Sequence, residues 1–296
     1  MVVGIHETAQ DMIVRWICNI IITLLAAACV YPYLNVIAKS FSSAEMIMSG
    51  MVNGILPKGI NIDAYKLLFS QSNRFFISLK NTIFITCVGT LLNLILTVFV
   101  AFAVSRKALP GRRLIMLLYI FTMLFGGGLI PTYLVVINAG LRNSLWALII
   151  PGLVSAFNVV LMRNYFSSIP ISLEESAKID GADHFTVLLR IIVPLAMPSI
   201  ACIALFCAVG YWNSYFNALM YIDDRSKAVL QIYLRDLLMS IQQAEMSGIL
   251  DELMREMPNE AMRGAAVFAS TLPIVCFYPF LQRYFVKGMT LGAVKE

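Results

Sequence analysis

Six long apolar runs, none of which contains Asp, Glu, Lys, Arg or His, decide what this chain can fold into. They are Trp16–Ala38, Asn81–Ser105, Leu114–Ile137, Leu145–Met162, Leu195–Ile222 and Gly264–Gln282. A helix needs about 20 apolar residues to cross ~30 Å of hydrocarbon, and each run is close to that length. Inside a bilayer the backbone must satisfy its own polar groups, which leaves helices as the economical solution for isolated runs of this kind. The sequence therefore predicts an all-α polytopic membrane protein with six transmembrane helices, residues 1–296 forming one transmembrane domain.

Composition removes the alternatives. Hydrophobic residues make up 59% of the chain and charged residues 13%, against roughly 45–50% and about 25% in soluble domains. Mean hydropathy is +0.80. A soluble enzyme, a disordered chain and a secreted disulfide scaffold are excluded. The net charge of +5 comes from basic residues that flank apolar runs, so it reports topology rather than nucleic-acid binding, and no nucleic-acid partner is expected. Cys18, Cys29, Cys87, Cys202, Cys207 and Cys276 all fall in apolar runs without a C-x-x-C pair. They read as small buried hydrophobes, and with only His6 and His184 available no metal site is expected. No cleavable leader is expected either, because the first apolar run is too long for one.

Short loops set the orientation. Arg106–Arg113 carries Arg106, Lys107, Arg112 and Arg113, whereas Asn138–Ser144 carries only Arg142. The former is placed in the cytoplasm. Six spans then put both termini inside, and leave the loops Lys39–Lys80 and Asp223–Arg263 outside. In the second of these, Val229–Leu238 and Ile249–Met254 have amphipathic helical patterns. That loop suits either a docking surface or a solvated cap. Gly126, Gly127 and Gly128 followed by Pro131 interrupt the third span, as a kink or as irregular backbone facing protein or a watery cavity.

The cytoplasmic segment Arg163–Pro194 is polar and about 30 residues long. Within it, Ser172 followed by Glu175 reads as a capping box, and Glu174 and Glu175 suit the positive start of a helix. Gly181 is placed to end that helix in a left-handed conformation. Asp183 can cap a second helix, His184–Ile192, which Pro194 ends or kinks. Ala177 and Gly181 lie four residues apart, a small-residue face where another surface can approach closely. Taken alone, the segment is either such a contact or an ordinary helix pair lying on the lipid bilayer.

Its spacing settles on a resemblance. Glu175-Ser176-Ala177, three residues, Gly181, nine residues, then Ile191-Ile192-Val193-Pro194 resembles the EAA loop of ABC importer permeases, with Ser176 and Val193 as conservative departures. Gly127 to Tyr133, Gly210 to Asn213, Phe216 to Leu219 and Gln282 to Gly288 resemble the carbohydrate-uptake group, above all its oligosaccharide and polysaccharide members and, more distantly, the maltose importer. Gly292 to Lys295 also fits, although relatives usually continue with glycine where Glu296 stands. The resemblance implies the type I ABC importer permease fold with a cytoplasmic coupling helix. It implies a second six-span permease, two ABC ATPase subunits that use ATP and Mg, and an extracellular or periplasmic solute-binding protein that delivers sugar. The setting it implies is a bacterial cytoplasmic (inner) membrane. By motif position, Glu174, Glu175, Ser176, Ala177, Asp180, Gly181 and Ala182 are the expected ATPase-coupling residues.

Other classes fit less well. No Gly-Lys dipeptide occurs, so a Walker phosphate loop is absent and ATP hydrolysis is expected on another chain, with no catalytic residue and no cofactor in this one. Ion-coupled carriers and intramembrane proteases need ionisable groups inside the spans, and these spans have none. A permease for another solute, such as a polyol or glycerol phosphate derivative, or a passive channel, stays open. Sugar recognition combines aromatic faces with amide and hydroxyl groups. Asn158, Tyr211, Trp212, Asn213, Tyr215 and Asn217 have that chemistry and are the expected pathway residues. The same residues would also serve helix packing or an interfacial aromatic belt.

Overall fold

In a computed structural model of the chain, residues 9–70, 73–247 and 258–293 are described. They are helical apart from connecting turns and one isolated antiparallel bridge, Ser42 with Ile60. In chain order the helices are α1 (Ala9–Ser40), α2 (Ala44–Met48), α3 (Asp63–Ser70), α4 (Asn73–Ser105), α5 (Arg112–Leu124), α6 (Leu129–Asn138), α7 (Trp146–Ile149) and α8 (Ala156–Ser168). There follow α9 (Ile171–Ile179), α10 (His184–Val187), a π-helical turn at Leu188–Ile192, α11 (Val193–Leu195), α12 (Met197–Trp212), α13 (Tyr215–Tyr221), α14 (Leu230–Ser247) and α15 (Asn259–Ala293).

Two of the six apolar runs become single long helices, α1 and α4. Three become bent pairs: α5 with α6 at 114°, α7 and its 3-10 turn with α8 at 50°, and α10–α11 with α12 at 80°. The sixth lies in α15, which contains Pro273 and Pro279. Each bend has a local cause. Gly126–Gly128 separates α5 from α6, with Gly128 at φ 86°. Pro151 and Gly152 precede the second break. Pro194 and Pro198 flank the third, and the missing amide of Pro194 coincides with the π-helical turn before it. The expected continuous span Leu195–Ile222 is thus interrupted twice, at Ala196 and at Asn213–Ser214.

The chain divides into two compact units. The first combines the N-terminal region up to Ser72 with Leu237–Ser270. Here α15 lies so close to α1 that a Cβ on Gly264 would sit 2.6 Å from the Val36 carbonyl oxygen. Lys39 pairs with Glu260 at 2.6 Å, and Phe41, Tyr65 and Phe268 form an aromatic cluster. From Met12 to Leu25 the large side chains of α1 are exposed, as lipid-facing residues would be. Of the outer loop, Ile249–Met254 lies outside the described residues.

The second unit, Asn73–Asp236 with Thr271–Glu296, is organised by α4. Its buried residues, Phe75, Ser78, Thr82, Ile85, Gly89, Asn93, Thr97 and Ala101, recur every three or four positions. Most are small or polar. This is the pattern that lets helices approach closely in a membrane, where apolar area gives no advantage over lipid. α12 and α8 pack on this seam. Two cores result. An inner one contains Ala101, Phe102, Met162, Phe166, Val187, Leu188, Ile192, Ala196, Ile203, Cys207 and Tyr211. An outer one contains Ile85, Val136, Ala147, Leu148, Ile149, Ala218, Tyr221 and Val229.

Candidate functional site

The polar segment after α8 folds as two helices meeting at Gly181. Its first helix ends in a Schellman motif: the Gly181 amide donates to Lys178 O at 3.0 Å and the Ala182 amide to Ala177 O at 2.9 Å. Gly181 has φ 83°, a left-handed conformation that favours glycine. Asp183 then caps α10, accepting from the Thr186 amide at 3.0 Å. Those hydrogen bonds hold the Asp183 carboxyl below its ordinary value.

The start of the first helix differs from expectation. Pro170 is its N-cap residue, and no side chain caps it. Ser172 therefore lies inside the first turn, where its hydroxyl cannot cap, and the Ser172–Glu175 capping box does not form. Proline favours helix starts because its φ is already helical and it has no amide to satisfy.

Of the residues expected to face the ATPase, Glu175, Ser176, Asp180 and Gly181 are exposed, while Ala177 and Ala182 are half-buried. Ile179 is 86% exposed, an unusual position for an isoleucine on a polar helix. Glu174 is turned the other way. It is 4% exposed. Its Oε2 accepts from Arg106 Nη1, and its Oε1 lies 3.0 Å from Lys178 Nζ. The Arg106 guanidinium lies 4.3 Å above the Phe102 ring. Burial of a carboxylate requires such pairing, and here two cations supply it.

A cleft of about 430 Å³ opens between the two cores. It shares Cys207 and Tyr211 with the inner core and Leu148 with the outer. Of the expected pathway residues, Asn158, Tyr211, Asn213, Tyr215 and Asn217 line it. Trp212 does not: it is 5% exposed and packs away from the cleft. Adjacent helix residues diverge by about 100°, and here that rotation turns Trp212 into the packing while Tyr211 faces the cleft.

Asn93, Ser155 and Ser214 add polar lining. Asn93 was hidden by its apolar surroundings; the signal for it is its place in the small and polar seam of α4. It donates to Gly152 O at 3.2 Å and accepts from Thr97 Oγ1 at 3.1 Å. Asn158 Nδ2 points at Cys207 Sγ at 3.4 Å. Among the described residues, Tyr211 Oη is buried near Asn93 without a well-formed hydrogen bond, and Ser214 Oγ is also buried without a partner. No lining residue is charged. The arrangement offers amides, hydroxyls and aromatic rings, which can bind a polar, uncharged group such as a sugar ring without ionic recognition.

The chain is similar along most of its length to known permeases. It is 40% identical over 274 residues, covering 92% of this chain and 94% of the relative, to the polygalacturonan/rhamnogalacturonan transport system permease protein YtcP of Bacillus subtilis (strain 168). It is 43% identical over 282 residues, covering 94% of each chain, to protein LplC of the same organism. Among solved structures, a chain from the crystal structure of a bacterial ABC transporter involved in the import of the acidic polysaccharide alginate matches with a TM-score of 0.83. That match has 32% identity and covers 94% of this chain and 98% of the other. The sequence profile of one family matches residues 94–291, which include the loop helices and every cleft residue but Asn93. The chain belongs to the binding-protein-dependent transport system inner membrane component family, the permeases of ABC importers.

Proposed function

We propose that this chain is one of two permease subunits of an ATP-driven importer that takes up an oligosaccharide or polysaccharide fragment. A second six-span permease completes the pathway, two ABC ATPase chains dock beneath, and an external solute-binding protein delivers the sugar. The membrane is a bacterial cytoplasmic one, with both termini inside. ATP and Mg are used by the ATPase chains, and this chain transmits force without chemistry of its own.

The observation that carries the reading is the display of α9. It is a short helix locked at one end by the Schellman motif, with Glu175, Ser176, Ile179 and Asp180 exposed. A capped helix with an exposed apolar tip suits insertion into a groove of another protein. The carbohydrate reading is supported by relatives named for polygalacturonan/rhamnogalacturonan and for arabinooligosaccharides. It is supported also by a cleft of amides, hydroxyls and aromatic rings without charge.

Gly181 provides the test. Among the described residues, a Cβ there would meet nothing within 4 Å, so a methyl group adds no clash within the chain. Gly181→Ala strains the backbone alone; Gly181→Trp adds bulk at the docking face. In proteoliposomes with the complete transporter, uptake should fall modestly for the first and by about tenfold or more for the second. Equal uptake by the two variants would remove the docking role. Gentle purification from native membranes should yield a second permease and an ATPase in stoichiometric amounts; a lone chain would overturn the importer assembly.

A further inference from the structure

We infer that Arg106, Glu174 and Lys178 form an internal latch that fastens the coupling helix to α4, making α4 the lever between the ATPase-facing loop and the cleft. The inference rests on the coupling role proposed for α9, and it assigns Glu174 a duty distinct from that of its exposed neighbour Glu175.

Glu174 is 4% exposed and both its oxygens are engaged within the chain, so it has nothing left to offer an ATPase. Its cationic partner Arg106 comes from the residue immediately after α4 and is pinned over Phe102, which lies in α4 itself. Phe102 in turn packs edge-on against Phe166 of α8, with ring centroids 6.5 Å apart. The other half of the loop is tied to the same helix: Phe99 of α4 stacks on Phe185 of α10 at 6.0 Å and 17°. Both loop helices are thus fixed to the inner end of α4, one by charge and one by an aromatic stack.

About 20 Å along the same helix, at 1.5 Å per residue, α4 meets the cleft. There Asn93 lines it, and Gly89 leaves just enough space for Tyr211, whose ring would lie 2.7 Å from a Cβ on Gly89. Farther out, Asn81 Nδ2 donates to Ser226 O at 3.0 Å and Ala228 O at 2.9 Å, and Thr82 Oγ1 accepts from the Leu230 amide at 2.8 Å. One continuous helix therefore contacts the inner loop, the cleft and the outer loop. A continuous α-helix is stiff, so along this route displacement of α9 reaches the α4 side of the cleft as firmly as the latch holds.

The experiment measures uptake per ATP hydrolysed by the complete transporter in proteoliposomes, with Glu174→Gln, Glu175→Gln and the double variant Arg106→Gln/Glu174→Gln. With the latch as described, Glu174→Gln lowers uptake per ATP by about fivefold while ATPase subunits remain bound, because only transmission is slack. Glu175→Gln instead weakens retention of the ATPase subunits. The double variant leaves no buried unpaired charge, so it tests the latch even where the single variant fails to fold. It should insert normally and still lose uptake per ATP. Normal uptake per ATP in an inserted double variant overturns the latch. If Gly181→Trp still uncouples transport in that case, the docking role of α9 survives without it; if Gly181→Trp also has no effect, the coupling reading itself fails.

Discussion

The inner and outer ends of the second unit solve the same problem with different chemistry. Each must tie a loop to the helices. At the inner end the tie is ionic: one buried carboxylate, Glu174, sits between Arg106 and Lys178. At the outer end it is a knot of mostly backbone hydrogen bonds around Asn143. Its amide donates to Tyr221 O at 2.7 Å and its Oδ1 accepts from the Asp223 and Asp224 amides. Its carbonyl accepts from Lys227 Nζ at 2.8 Å. An exposed ion pair, Arg142 with Asp223, adds little to that knot. Long ionic side chains can follow a moving helix, whereas short backbone bonds cannot. Under the proposed coupling role, the ionic tie is the joint suited to move and the Asn143 tie the one suited to stay fixed.

Gly89→Leu would break the comparison most completely, because it attacks the helix that serves both ends. The new side chain would start 2.7–2.9 Å from the Tyr211 ring atoms. Overpacking of this kind costs about 1–3 kcal/mol or more, and loss of most folded protein by fluorescence-detected size exclusion is the expected result. Arg106→Ala comes next. It strands Glu174 with only Lys178, at a cost of about 2–4 kcal/mol, and should lower the thermal midpoint in detergent. Arg106→Met/Glu174→Met should regain most of that stability without regaining uptake per ATP, which separates holding from transmitting.

Asn143→Val tests the fixed joint. Asn143 has φ 56°, where a β-branched residue is strained. With its side-chain acceptor lost as well, about 1–3 kcal/mol should disappear. Asn143→Gly should lose less, since glycine accepts the backbone conformation. Uptake per ATP should stay constant for the molecules that fold, unlike at the inner joint. The smallest effect is expected at Asp183. Its carboxyl is held below the ordinary 3.8 by the Thr186 hydrogen bonds. Its capping contribution is therefore present at neutral pH and lost as acidity passes its lowered value. Hydrogen exchange of the loop amides should show extra opening at low pH, and Asp183→Asn should flatten that dependence.

Much of this was legible beforehand, because the bilayer imposes a length rule that apolar runs obey visibly. The Gly126–Gly128 break, the left-handed Gly181 and the Asp183 cap were equally legible, since each depends on one residue's own conformational preference. Tertiary choices were not. The Ser172–Glu175 pattern lost to Pro170, which starts the helix two residues early. Glu174 looked interchangeable with Glu175, and only the position of Arg106 separates an inward carboxylate from an outward one. Trp212 shared the chemistry of Tyr211 but not its direction. Asn93 was hidden inside an apolar run, although its spacing from Gly89 and Thr97 marks one face of α4.

The bend at Ala196 has a mechanical consequence. Ala196 is fully buried and its amide donates to both Ile192 O and Val193 O, at 2.9 and 3.1 Å. The α10–α11 segment and α12 are arms set at 80°, so under the coupling role proposed for the loop a push on the first arm would become a tilt of the second about this alanine. Because Tyr211 sits about 22 Å from the pivot, a rotation of ~10° there sweeps its ring through about 4 Å, roughly the thickness of a sugar ring.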